Sequence, residues 1–170
     1  MLLLLALGGL ASSQTGCSSD KTSSTPVVPE GGDAGKGLPP ASSADLVPDD
    51  GSPGAKAINT RRCGACHNDP GQPAMSGKST MLPNYPAGIE LYGPNLTSDM
   101  ELGVGKWTDG QLRLAIREGV DDESLSLCPQ MQHYKTMSDE EVDNIIKYLR
   151  SLPPAHRVAP RSICPPLKTK

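Results

Sequence analysis

The strongest periodicity lies near the C-terminal end of the chain. In "SDEEVDNIIKYLRSLPP", Val142, Ile145, Ile146 and Leu149 recur at i, i+3, i+4 and i+7, which is one face of an α-helix. Ser138 and Glu141 have capping-box spacing, Asp139 and Glu140 suit the positive end of the helix dipole, and Pro153-Pro154 ends the segment. A second helix is predicted in "TDGQLRLAIREG": Thr108 and Gln111 form a capping box, Leu112, Ala115 and Ile116 share a face, and Gly119 is the stop. A third opens with Ser52 as N-cap and Pro53 at the first helical position, and runs through "GAKAINTRRCGACH" as one short, weakly amphipathic helix with Ala55, Ile58 and Ala65 as its apolar members. Residues 68–106 are rich in Gly, Pro and Asn and read as loop, and no internal repeat is present. The class is all-α, with three or more helices and long loops.

The N-terminal third has a different texture. "MLLLLALGGL" is an apolar run too short to span a bilayer and reads as the core of an export signal. "TGCSSD" has the look of a bacterial lipoprotein cleavage site, with Cys17 as the acylated residue. Two features depart from that pattern: no Lys or Arg precedes the run, and Gln14 stands where Leu is usual. The alternative is a plainly secreted protein. Residues 18–53 contain 7 Ser, 6 Pro and 5 Gly with no aromatic residue, too little apolar surface to offset the entropy of ordering. The expected organisation is therefore a signal at 1–16, a disordered tether at 17–53 with a reach of roughly 30 Å, a folded domain at 54–154 and a C-terminal tail at 155–170. The location this implies is the periplasmic side of a bacterial membrane, to which the protein is lipid-anchored.

Composition sharpens the picture of the folded part. Hydrophobic residues are 36% of the chain, aromatics 3%, and Phe is absent, so a core of this size needs a staple or a cofactor. The net charge is −3, and no basic stripe with interleaved aromatics is present, so nucleic acid is not an expected partner.

The staple is predicted in "RRCGACHND". Cys63-x-x-Cys66-His67 is the attachment signature of c-type haem. Two thiols one helical turn apart can bond the two vinyl-derived carbons of one porphyrin, and the next residue then turns its imidazole towards the iron. A thioredoxin-like pair would require a βαβ setting, and a structural zinc site a second Cys or His pair at short spacing. A porphyrin would supply the apolar body that the missing aromatics do not, at roughly 25 cal/mol per Å² buried.

An electron-transfer haem needs a second axial ligand from a distant loop. Met131, in "LCPQMQHY", is the leading candidate, because a thioether is a soft donor that raises the potential. His133 is its rival, and an open sixth position is the third possibility. Met75, Met81, Met100 and Met137 read as gap fillers or surface residues.

These blocks, "RRCGACH", "GPNLTSDMELGVGKWTDGQLRLAIREGV", "CPQMQHY" and "YLRSLPP", taken in order, resemble the class I (mitochondrial-type) cytochrome c family. They are most similar to single domains of the cytochrome c subunits of bacterial membrane dehydrogenases for alcohols and sugar acids. The resemblance covers about residues 54–154. It implies thioether bonds at Cys63 and Cys66, His67 as proximal ligand, and Met131 as distal ligand. It also implies that the Pro94 carbonyl orients the imidazole, and that the Trp107 indole lies near a haem propionate or packs in the core. The family's Met-Pro-Tyr is here Met131-Gln132-His133-Tyr134. Such subunits carry several domains in tandem, whereas this chain has a single C-x-x-C-H and thus one haem c.

Two cysteines remain, Cys128 and Cys164. In an oxidising compartment they are expected to pair, closing a loop of about 35 residues and tying the tail to the Met131 loop; two free thiols are the alternative. No paired carboxylates or nucleophile–base pair points to substrate chemistry. The acidic runs at 121–123 and 139–141 read as solvated surface or a docking patch. The function expected is a non-enzymatic electron carrier between redox protein donors and acceptors. The alternatives are an electron-accepting dehydrogenase subunit, or a haem sensor or peroxidase-like protein with an open sixth site.

Overall fold

The computed structural model of the protein describes residues 42–164. The sequence readings at 1–16, at Cys17, over most of the tether and at 165–170 lie outside the described residues. The element order is a 3-10 turn at Ser43–Asp45, then α1 (Pro53–Thr60), α2 (Gly64–His67), α3 (Asp109–Glu118) and α4 (Asp139–Ser151). Among the described residues there is no extended strand, only isolated bridges at Glu90–Ile163 and Val120–Ser126.

The frame is the crossing of α1 and α4. Ala55, Ile58, Val142, Ile145 and Leu149 are buried there. Gly54 sits so close to the Asn144 carbonyl and the Tyr148 side chain that a Cβ at this position would collide with both. α3 packs on α4, with Leu112 in the core they share. The expected caps form, with Ser52, Thr108 and Ser138 each accepting from the third residue of its helix. Gly119 closes α3 at φ 66°, in the left-handed conformation that glycine adopts without strain.

Three details differ from the sequence reading. The helix expected to run from Gly54 to His67 is broken in two. Arg62 takes a positive φ of 57°, Cys63 N–H donates to the Ile58 carbonyl and Arg62 N–H to the Asn59 carbonyl. That is a Schellman close with arginine in the place usually taken by glycine, and it re-aims the next turn, α2. The capping box of α4 is only half formed. Ser138 Oγ accepts from Glu141 N–H (3.1 Å), but the Glu141 carboxylate turns to Arg61 instead, at 2.8 and 2.9 Å. A bidentate charged pair is the stronger use of that carboxylate.

The third difference is the start of the packed region, which lies before residue 54. Val47 is buried and exchanges two hydrogen bonds with the Asn59 side chain, at 2.8 and 3.1 Å. The Ala44 and Leu46 carbonyls accept from Asn68 Nδ2, and the Pro48 carbonyl accepts from Tyr148 Oη. These are bonds from backbone groups to distant side chains, which a Ser- and Pro-rich composition does not reveal.

The tail is also part of the body. Ala155 is buried, its carbonyl accepts from Asn95 Nδ2 (2.7 Å) and its N–H donates to Thr97 Oγ1. Arg157 binds Asp69, Ser76 and the Gly77 carbonyl.

Candidate haem site

The packing of α1, α3, α4 and the loops leaves a small apolar cavity with an open mouth, about 40 Å³ in volume. Ile58, Ile145 and Leu149 line it from the α1–α4 frame and Ile116 from α3, while Leu96 and Tyr134 come from loops. Cys63, His67 and Met131 share the same wall.

His67 is the best defined of these. It is almost fully buried, and its Nδ1 lies 2.9 Å from the Pro94 carbonyl. A carbonyl only accepts, so Nδ1 carries the proton and Nε2 keeps its lone pair. That is the tautomer and orientation a metal ligand requires. Burial holds the imidazole below its usual pKa, which also favours the neutral ring. Gly93 makes the contact possible. Its α-carbon lies against the Cys66 carbonyl in space that a Cβ would need, so Pro94 can reach the imidazole.

Cys63 caps α2 and Cys66 lies within it, one turn apart; neither is in a disulfide. Burial pushes the Cys63 thiol up to about 12, and burial also raises Cys66. Thiols held protonated in this way are poor redox nucleophiles, which argues against a thioredoxin-type pair. No group of three or more His, Cys, Asp or Glu side chains comes together to hold a metal ion among the described residues.

Met131 N–H donates to the Cys128 carbonyl (2.9 Å), closing the turn Cys128-Pro129-Gln130-Met131 that carries the thioether to the cavity. His133 is not part of the cavity wall. Its ring lies against Gly119, and its Nε2 is buried with no hydrogen-bond partner. Trp107 is half-buried against the core, outside the cavity lining, with its carbonyl accepting from Arg150. Cys128 and Cys164 are joined in a disulfide, with their α-carbons 5.7 Å apart.

Two lining residues escaped the sequence reading. Met75 and Met137, read as gap fillers or surface residues, are both buried and face the cavity. Methionine packs irregular space without a periodic signature, so only proximity to the haem motif and to the α4 cap hinted at them. Met81 and Met100 are exposed.

An apolar cavity with the Cys63 thiol, a buried imidazole of fixed tautomer and a thioether in its wall, and the Cys66 thiol one helical turn from Cys63, fits a flat apolar prosthetic group bound through sulfur and ligated through nitrogen. The fold and site thus define a small helical domain of the haem-binding class. The cytochrome c family model matches residues 52–153, and the chain belongs to that family. It is an electron-transfer cytochrome, and its cofactor is covalently bound haem c. It is 31% identical over 100 residues to a subunit of the nicotinate dehydrogenase of Pseudomonas putida, across 58% of this chain and 8% of the relative. It is 28% identical over 107 residues to the gluconate 2-dehydrogenase cytochrome c subunit of Pantoea cypripedii, across 53% of this chain and 23% of the relative. The chain therefore spans less than a quarter of either protein.

Proposed function

We propose that the protein carries single electrons between exported or membrane-bound redox proteins by means of one haem c. Cys63 and Cys66 would hold it through thioether bonds, and His67 and Met131 would ligate its iron. The carrying observation is the His67–Pro94 hydrogen bond in a cavity whose wall also includes Cys63 and Met131. A bound haem c supplies reversible one-electron exchange at its iron. The chain does the rest. The Pro94 carbonyl holds the imidazole in register, the aliphatic wall excludes water, and the Met131 thioether favours the reduced state and so raises the potential.

The chain carries out no substrate chemistry of its own on this reading. The "TGCSSD" sequence supports export to the periplasmic side and a lipid anchor at Cys17. No helix among the described residues is long and apolar enough to cross a membrane. The two dehydrogenase relatives favour a second reading, in which the domain is the electron-accepting part of a larger oxidoreductase.

The test is acid–acetone extraction of protein purified from its own host, together with a reduced-minus-oxidised spectrum and iron quantification. The expected result is one iron per chain, retained with the protein. An extractable porphyrin would sink the attachment. A Met131→Ala variant that keeps the near-infrared methionine–iron band would sink the ligand assignment. Co-purification with a dehydrogenase chain would favour the second reading.

A further inference from the structure

The tail does more than cover the back of the domain. At residues 162–164 it touches both loops that serve the haem site. Ile163 forms an antiparallel bridge with Glu90, with N–H to carbonyl distances of 2.7 and 2.8 Å. Ser162 Oγ accepts from Tyr92 N–H (2.9 Å) and donates to the Tyr92 carbonyl (3.1 Å). Tyr92 is two residues before Pro94, whose carbonyl orients His67. The next tail residue, Cys164, is bonded to Cys128, the first residue of the turn that ends at Met131.

We propose that residues 162–164 form a strap of positioning residues, which ties the Met131 turn to the loop orienting His67 and thereby sets how firmly Met131 stays on the iron. The inference rests on the reading of Met131 as ligand.

The loop carrying Met131 is anchored before the turn by Leu127 N–H to the Gly119 carbonyl (2.8 Å) and after it by Tyr134 N–H to the Ile116 carbonyl (3.0 Å). An iron–thioether bond is weak, so the cost of ordering the loop that presents it bears directly on its occupancy. A covalent tie at the turn's first residue removes part of that cost before the ligand binds, as any tether raises effective concentration. The Ser162 and Ile163 bonds register the tie against the Pro94 side, so both ligand loops share one frame.

The experiment uses oxidised holoprotein and follows the near-infrared methionine–iron band as pH is raised. Cys128→Ser/Cys164→Ser is expected to keep its covalent haem and helical circular dichroism. Its band should reach half-loss about one pH unit lower, a tenfold weaker hold or about 1.4 kcal/mol. Its reduced form should bind carbon monoxide at neutral pH more readily than wild type. Ser162→Ala leaves the disulfide in place and should shift the midpoint the same way by about twofold. A double variant with the wild-type midpoint would overturn the proposal. It would mean that the Leu127 and Tyr134 anchors hold the loop unaided. If the double variant does not fold, an unmoved midpoint in Ser162→Ala overturns it instead. Met131→Ala separates the two failures. If it keeps the band, the ligand reading falls and takes the strap's role with it. If it loses the band while the strap variants are unmoved, only the strap falls.

Discussion

Where α1 crosses α4, Ala55, Ile58, Val142 and Ile145 bury apolar side chains against one another, and Gly54 lets the two backbones close up. Where segment 90–97 meets the tail, the hold is mostly polar. Asn95 binds Ala155 and Arg157, Thr97 binds Ala155, Ser162 binds Tyr92, and Arg157 reaches back to Asp69. The first region is held by non-directional burial, which is roughly proportional to area. The second depends on individual bonds, and breaking those of Asn95 and Thr97 to Ala155 leaves buried groups unpaired. Both regions serve one cavity, so the haem site has a firm apolar side and a side assembled bond by bond.

That contrast breaks most visibly at Ile58. Its side chain is fully buried and also lines the cavity. Ile58→Ala removes three carbons from a site that cannot collapse, because α1 is pinned to α4 at Gly54. The expected loss is about 2–5 kcal/mol in denaturant unfolding of the holoprotein. A loss below about 1 kcal/mol would mean that the haem, and not the helix crossing, carries the apolar side.

A smaller and more local effect is expected at Asn95. It is buried, its amide donates to the Ala155 and Arg157 carbonyls, and its Oδ1 accepts from Thr97 N–H and Oγ1. Asn95→Ala leaves the Ala155 carbonyl and the Thr97 N–H without these partners. The expected cost is about 1–3 kcal/mol. Hydrogen exchange should speed up at residues 155–163 while α1 and α4 keep their protection. Uniform loss across both regions would show that the polar side has no independence from the helical frame.

The same contrast explains what could be read in the sequence. α3 and α4 were legible because apolar burial on a helix leaves a 3.6-residue period, as in Val142, Ile145, Ile146 and Leu149. Cys63, Cys66 and His67 were legible because their chemistry requires them to be contiguous. Met131 could be picked out from its place in a Pro-containing loop before α4, but Pro94 only through family resemblance, since a carbonyl acceptor carries no residue signature. The polar side left no period. Asn68, Asn95 and Arg157 act across gaps of many residues, and nothing local distinguishes them from surface residues. The break in α1 was hidden for a related reason: the left-handed position is held by Arg62, where a glycine would have announced it.

The smallest effect sharpens the comparison through pH. Asp69 accepts from Ser79 Oγ (2.7 Å), Ser79 N–H (3.3 Å) and Arg157 Nη2 (2.9 Å), joining the tail to the loop after α2. The Ser79 hydroxyl and then the Arg157 guanidinium hold its carboxyl below the ordinary 3.8. A depressed folded-state value means that the stabilisation is fully present above the unfolded value of 3.8 and is lost as pH falls through the lower, folded one. Asp69→Asn should therefore be less stable than wild type near neutral pH, with the gap closing only below about pH 4. The change should be a few tenths of a kcal/mol to about 1, as is usual for an ion pair near the surface. Asp99 is depressed as well, by the Leu102 and Glu101 amides, and acts on the same acid limb in both proteins, so the difference between them isolates Asp69. Denaturant titrations from about pH 3 to 7 measure this gap. A gap that persisted unchanged to the acid end would show that the Asp69–Arg157 tie contributes through packing alone. The polar side would then depend less on charge than its geometry indicates.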